Sequence, residues 1–371
     1  MRTGKVSFVW REPSALRGFT AAASLHGHTM HSKECLSFLP RYLHRVPGVS
    51  RVVRRYQRPS SPSRPAVDFS RAYWTPPLTP ASALHVERKQ IARLGLRAMV
   101  SLTDHDDIDA CTSLRVTADR AAVPISVEWT VPFGATFLHL GIHNLPSSAC
   151  GSLMAAMQAY TAAPKEAALP ELLRTLYGAP ETLIVLNHPF WLEEAVTEAV
   201  HRWSLDRFLR ECLEWVHAFE LNGTRKWKEN ADTLTLAEAY GRPVISGGDR
   251  HACEPAACIN LTNARSFSEF AAEVREGESS ILFMPHYREP MALRTLEAIR
   301  DILRPYPEYP GRERWLDRVF YTGEDGVARP LSVIGTPWAL GAAAGLVQSL
   351  AGAGFRPAIR LLLAERGEVL P

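Results

Sequence analysis

The sequence predicts an α/β fold built on a parallel sheet. Two observations carry that prediction. Short apolar runs of four to seven residues alternate with longer helical stretches, and each run stops at a polar or Gly/Pro break. Seven such units fall within about 230 residues, which suits a closed barrel better than an open sheet.

Taken in chain order, strands are expected at 21–25, 98–102, 124–127, 136–142, 183–186, 218–221 and 244–246. Helices are expected at 82–94, 112–122, 151–161, 204–215 and 230–240. Two segments break the rhythm. Residues 40–80 hold eight prolines, a density that forbids a long helix and predicts an extended excursion. Within it Arg41, Arg45, Arg51, Arg54, Arg55, Arg58 and Arg64 occur with no acidic residue between them. The second segment is the C-terminal part, 286–371, expected to be a helical extension. Its stretch 330–355 has no charged side chain, but five glycines and two prolines keep its apolarity low. A buried or membrane-surface hairpin is expected there in preference to a membrane span.

Composition narrows the class. The chain has 371 residues, 46% hydrophobic and 22% charged, so it can bury a core and is neither a disordered tail nor a coiled coil. A net charge of +3 does not mark the whole chain as a nucleic-acid binder. The six cysteines, at 35, 111, 150, 212, 253 and 258, form no CxxC pair, which argues against a disulfide scaffold or a Cys-based zinc finger. The first 19 residues carry Arg2, Lys5, Arg11 and Arg17 without a long apolar run, so no leader is expected. The expected location is cytoplasmic, with peripheral membrane contact through the C-terminal extension as an option.

Metal-ligand side chains recur where the predicted strands end. His26 and His28 stand two apart, and in an extended strand such residues face the same way. Thr103-Asp104-His105-Asp106 follows the strand at 98–102. Asp104 suits either a ligand or a carboxylate orienting an imidazole, and a helix cap is its plain alternative. Glu128 closes the run at 124–127, and a carboxylate can bridge two cations where an imidazole cannot. His139 and His143 share one strand face, and spacing does not choose between them. His188 follows the strand at 183–186. Asp249 and His251 stand on one side of an extended segment, with Arg250 between them. Each cluster alone has an ordinary structural explanation. Together they place His, Asp or Glu at six successive strand ends, which a parallel barrel gathers at one mouth. Such a donor set without thiolates suits two or three divalent ions of zinc, manganese or iron.

The order of these motifs resembles the PHP family (polymerase and histidinol phosphatase domains). His26-Gly27-His28-Thr29-Met30-His31-Ser32 is similar to its opening HxHTxxS, and Thr103-Asp104-His105-Asp106 to its TDHD. Asn187-His188-Pro189 resembles its AHP motif, and Gly247-Gly248-Asp249-Arg250-His251 its closing GSDxH. Glu128, His139 and Phe219-Glu220-Leu221-Asn222 fall where the family has its bridging glutamate, next histidine and penultimate strand. The likeness covers about residues 19–285. It implies a distorted seven-stranded (βα) barrel over 19–285 with the C-terminal extension at 286–371. It also implies a trinuclear site: His26, His28, Glu128 and Asp249 around one metal, Glu128, His139 and His188 around a second, His105 and His251 around a third. Two departures stand out. Ser24 replaces an aspartate, and Lys33-Glu34 replaces an Asp-Gly, so that Glu34 takes the place of a ligand.

The expected function is that of a metal-dependent phosphoesterase, a phosphomonoesterase on a small phosphorylated metabolite that uses a metal-bridging hydroxide near Glu128. Glu128, Asp104 and Arg250 are the catalytic candidates, with Arg250 binding substrate phosphate. Two alternatives are a nuclease on single-stranded nucleic acid, held by the 41–64 arginines, and a metal-dependent hydrolase of non-phosphate bonds. A non-catalytic binding scaffold is a third.

Overall fold

The computed structural model describes residues 4–37, 68–117, 123–192, 196–334, 341, 344–345 and 348–349. The basic segment 41–64 and most of the uncharged run 330–355 lie outside the described residues. The described residues divide into two compact units. One comprises those up to Ser32 together with Leu78–Met291. The other comprises those of Lys33–Pro77 together with the residues from Ala292 on.

The first unit is mixed α/β. One five-stranded sheet has the order β1-β12-β11-β2-β5, with β1 at Lys5–Phe8, β2 at Ala21–Ser24, β5 at Arg97–Val100, β11 at Cys258–Thr262 and β12 at Ser280–Phe283. The other runs β10-β9-β8-β7-β6, with β6 at Val127–Phe133, β7 at Thr136–His143, β8 at Leu183–Asn187, β9 at Ala218–Asn222 and β10 at Val244–Gly247. The described strands of this unit thus lie in two sheets, and their pairing is not all parallel. β2 pairs β5, and β8, β9 and β10 pair in parallel, but β6–β7 and β7–β8 are antiparallel because β6 and β7 form a hairpin through Gly134. Isolated bridges, Gly27 with Arg250 and His105 with Glu128, link the two sheets.

Alternation along β2 explains why the sheets face each other. Ala21, Ala23 and Leu25 share one core with Met99, Leu183, Val185, Ala218 and Ile245, drawn from both sheets. Ala22 points the other way, onto Ile91 of helix α1 (Pro80–Arg93). Alanines at 21–23 leave β2 no side-chain bulk, so neighbours from both layers close over it. Phe267, Phe270, Ala271 and Val274 of a later helix (Phe267–Arg275) belong to the same core.

The second unit carries a four-stranded sheet, β14-β13-β4-β3, with β3 at Glu34–Cys35, β4 at Ala72–Trp74, β13 at Val319–Thr322 and β14 at Ala328–Pro330. The described part of the C-terminal extension, expected to be helical, contains the helix Met291–Leu303 and also the antiparallel pair β13–β14. Arg318 anchors this unit, donating from its guanidinium to the carbonyls of Ile302, Arg304 and Arg312. No described helix is long and apolar enough to cross a membrane.

Candidate metal centre

Glu128 sits at the focus of the first unit. It is the second residue of β6, so it opens that strand instead of closing the run at 124–127 as expected. Its Oε1 lies 3.1 Å from Nε2 of His188 and 3.4 Å from Nδ1 of His139, and accepts a 3.0 Å hydrogen bond from Asn187. Its Oε2 lies 2.9 Å from Nε2 of His26, 3.3 Å from Nε2 of His28 and 3.4 Å from Nδ1 of His105. The two oxygens of one carboxylate thus face two different sets of imidazoles. Donor atoms within 4.8 Å of one another form overlapping groups: His26, Glu128 and His188; His26, His28 and Asp249; His105, Glu128 and His139. His28, His105 and His251 meet the same limit among themselves.

These donors fit cations better than they fit one another. Nε2 of His26 and Oε2 of Glu128 are buried, yet neither makes a hydrogen bond. Orphaned buried donors and acceptors are rare and call for an explanation, and a cation placed among them supplies one. The charge states agree. Burial pushes the Glu128 carboxyl up, but His26, His105 and His139 outweigh it and hold the group well below its usual range, as an anion. Burial and the surrounding histidines hold His139 well below its usual value, in the neutral form that ligates metals. Burial likewise opposes the charge on His26, but Glu128 and Glu220 raise it well above the ordinary value, so a cation bound there competes with a proton.

Backbone strain marks the same places. His26, His188 and Asp249 have φ of 59°, 28° and 47°, in the left-handed region that residues other than glycine rarely enter. Each costs about 1–3 kcal/mol and persists only where the surroundings enforce it. His26 and His28 consequently meet through a kink after β2, not through strand alternation.

The remaining sequence candidates are placed as follows. Asp104 is buried away from the histidine donors. Its carboxylate accepts from the backbone N (2.5 Å) and hydroxyl (2.7 Å) of Thr29, which fixes the loop after His28. Burial pushes its pKa up to about 6. His143 shares a 2.7 Å hydrogen bond with Ser101, so of the β7 pair it is His139 that faces Glu128. Glu34 opens β3, in the second unit. Arg250 is 4% exposed and ion-paired to Glu87 at 2.9 Å, with Nη1 donating to the Ala252 carbonyl.

Four further neighbours of the donors are Glu220, Asn222, Thr224 and Arg225, of which the sequence marks Glu220 and Asn222 only as part of a strand and gives none of them a role. Glu220 meets Nδ1 of His26 at 2.5 Å and accepts from the His188 amide, so one carboxylate orients two donors. A Cβ at Gly247 would overlap that carboxylate, which explains the glycine. Asn222 and Thr224 donate to Oδ2 of Asp249. Arg225 reaches the same oxygen at 2.9 Å, with a quarter of its side chain exposed and its guanidinium 5.7 Å from the ring of Trp191. Burial raises the Asp249 pKa, but Arg225 and three histidines outweigh that and hold it well below the usual carboxylate range. A charged residue inside the buried strand Phe219-Glu220-Leu221 was the available signal for Glu220; nothing in the sequence singled out Arg225.

No protein-family model matches the chain, and no curated protein matches its sequence. Among solved structures it is similar to PsfC from Pseudomonas syringae PB-5123, at 15% identity and a TM-score of 0.40, covering 72% of this chain and 93% of that one. It is also similar to a putative metal-dependent phosphoesterase from Bifidobacterium adolescentis (13%, TM-score 0.35, 54% and 92%). A third is an amidohydrolase from Chromobacterium violaceum with bound sulfate and no metal (15%, TM-score 0.32, 47% and 83%). These likenesses are too distant to carry an argument, and function rests on the residues.

Proposed function

We propose that the chain is a metal-dependent phosphoesterase of the PHP family, acting as a phosphomonoesterase on a small phosphorylated metabolite. The observation that carries this reading is Glu128, whose two oxygens address separate histidine sets. A bridging carboxylate ringed by His26, His28, His105, His139, His188, His251 and Asp249 fits two or three divalent ions close together. Ions held there would lower the pKa of water and offset the charge on phosphoryl oxygens. The order of motifs along the sequence supports the family. The bridges between Gly27 and Arg250 and between His105 and Glu128 support a distorted seven-stranded barrel whose strands meet at the mouth.

The chain's own residues supply the rest. Glu220 and Asn222 orient donors, and Asp104 fixes the loop after His28. Arg225 is the partly exposed cation at the centre and takes the role that Arg250 cannot, that of binding a substrate oxyanion.

The test is a turnover screen of purified protein loaded with zinc, manganese or iron, using sugar phosphates, nucleotides, single-stranded oligonucleotides and amides. Chelator-sensitive release of inorganic phosphate from monoesters is expected. Turnover confined to oligonucleotides or amides, or less than one ion per chain after loading, overturns the proposal.

A further inference from the structure

Helix α1 carries a carboxylate on its core-facing side. Thr79 caps the helix by accepting from the Ser82 amide, Pro80 opens it, and its buried residues are Pro80, Ala83, Leu84, Glu87 and Ile91. Glu87 is 2% exposed in that apolar stripe. A buried charge needs partners, and Glu87 has three. Oε2 accepts from the Ser24 hydroxyl at 2.8 Å, Oε1 accepts from Nε of Arg250 at 2.9 Å, and both oxygens lie 3.2 Å from the Ala256 amide. Three residues on, Gln90 donates to the Ala256 carbonyl.

These partners belong to the two segments that furnish His26, His28, Asp249 and His251. The segments also touch directly. Gly248 N donates to Leu25 O at 2.7 Å, and His28 N donates to Arg250 O at 2.8 Å. The guanidinium lies over Gly27, where a Cβ would stand 3.3 Å from Nη2. We infer that Glu87 is a positioning residue: by holding Ser24 and Arg250 from behind, it sets the register between the two segments and so the alignment of the donors at His26, His28, Asp249 and His251. Ser24, where the family resemblance calls for an aspartate, is accommodated because α1 supplies the carboxylate instead. The inference rests on the metal-centre reading above. Glu128, His139 and His188 come from the other sheet, and no hydrogen bond described here ties them to Glu87.

The test uses the full chain with two variants, Glu87→Gln and the pair Glu87→Gln/Arg250→Met, the second removing both buried charges so that the fold is not lost to an unpaired guanidinium. Zn2+ titration against a chelator, with elemental analysis, should show one ion fewer per chain, or at least about tenfold weaker binding of one ion, in both variants. Amide exchange at His28, Gly248 and Arg250 should quicken at least about tenfold, while exchange within β7 and β8 stays unchanged. If the double variant keeps wild-type ion number and exchange, the pair is a plain structural salt bridge and the inference falls. If the wild type takes up no ion, the metal-centre reading fails by itself. The exchange comparison then still decides whether Glu87 holds the two segments in register.

Discussion

The interior between the two sheets has two differently filled regions, and strand β7 carries a histidine into each. His139 faces Glu128 and His188. His143, four residues on along the same face, lies against Ser101 and the ring of Phe267, which belongs to the apolar core of Leu183, Val185 and Ile245. Burial keeps both imidazoles neutral. What separates them is the neighbour. A buried carboxylate makes the surroundings of His139 a place where a cation is stabilised, and a hydroxyl makes the surroundings of His143 a satisfied polar pair and nothing more. Burial of a histidine is therefore no sign of ligation; burial beside a carboxylate with an oxygen left without a hydrogen bond is.

The most severe way to erase the difference is Glu128→Gln. It removes the charge that offsets five histidine contacts and should cost all or most bound ions together with about 10³-fold or more in turnover, read by elemental analysis and phosphate release. Ion content at the wild-type level in this variant would show that the centre is organised elsewhere.

A pair of variants sharpens the contrast within β7. His139→Asn should weaken binding of one ion by about 10–100-fold or more with modest loss of fold stability. His143→Asn should leave ion content intact and lower stability by about 1–3 kcal/mol, through lost packing and a disturbed hydrogen bond at Ser101. Calorimetric ion titration and denaturant unfolding of the same two proteins provide both readouts. Equal effects of the two substitutions on ion binding would remove the distinction drawn here.

That distinction also marks how far the sequence could be read. Donor types clustered at strand ends, so His26, His28, His105, His139, His188 and Asp249 were legible as a group before any geometry. The choice between His139 and His143 was not, because a period of two assigns both to one face and says nothing of depth. Standing between two donors in sequence does not place Arg250 beside them in space: its side chain is buried against Glu87. The hairpin β6–β7 escaped because Trp129 and Val131 continue the apolar pattern past Glu128, where a break was expected. The left-handed backbone at His26, His188 and Asp249 has no sequence signature for residues other than glycine.

Arg225 and Arg250 offer a second, smaller comparison of the same kind, one guanidinium beside the centre and one behind it. Arg225→Gln should raise KM for phosphate monoesters and weaken inhibition by inorganic phosphate by about 10–100-fold, the range of one charge-assisted bond, with kcat less affected. Arg225→Lys should recover part of the loss. An unchanged KM in Arg225→Gln would place the anion contact on another residue.

Two buried histidines away from Glu128 make a prediction of their own, independent of any metal and the gentlest in size. Burial lowers His143 from 6.5 to about 3, and burial with nearby Arg275 and Arg242 lowers His217, whose Nδ1 accepts from the Ile184 amide, to about 3 as well. In both cases the folded chain resists a proton that the unfolded chain accepts. Their contribution to stability is complete above about pH 6.5 and is lost as the pH falls from there towards 3, at up to about 1.4 kcal/mol per pH unit for each group. Urea unfolding of the chelated protein at intervals between pH 7 and pH 4 should show this slope. His143→Leu and His217→Gln should each flatten it by about one proton's worth, whatever they do to stability at pH 7. A slope that survives both substitutions would assign the acid sensitivity to the histidines around Glu128, and with it the claim that the two ends of the interior titrate separately would fail.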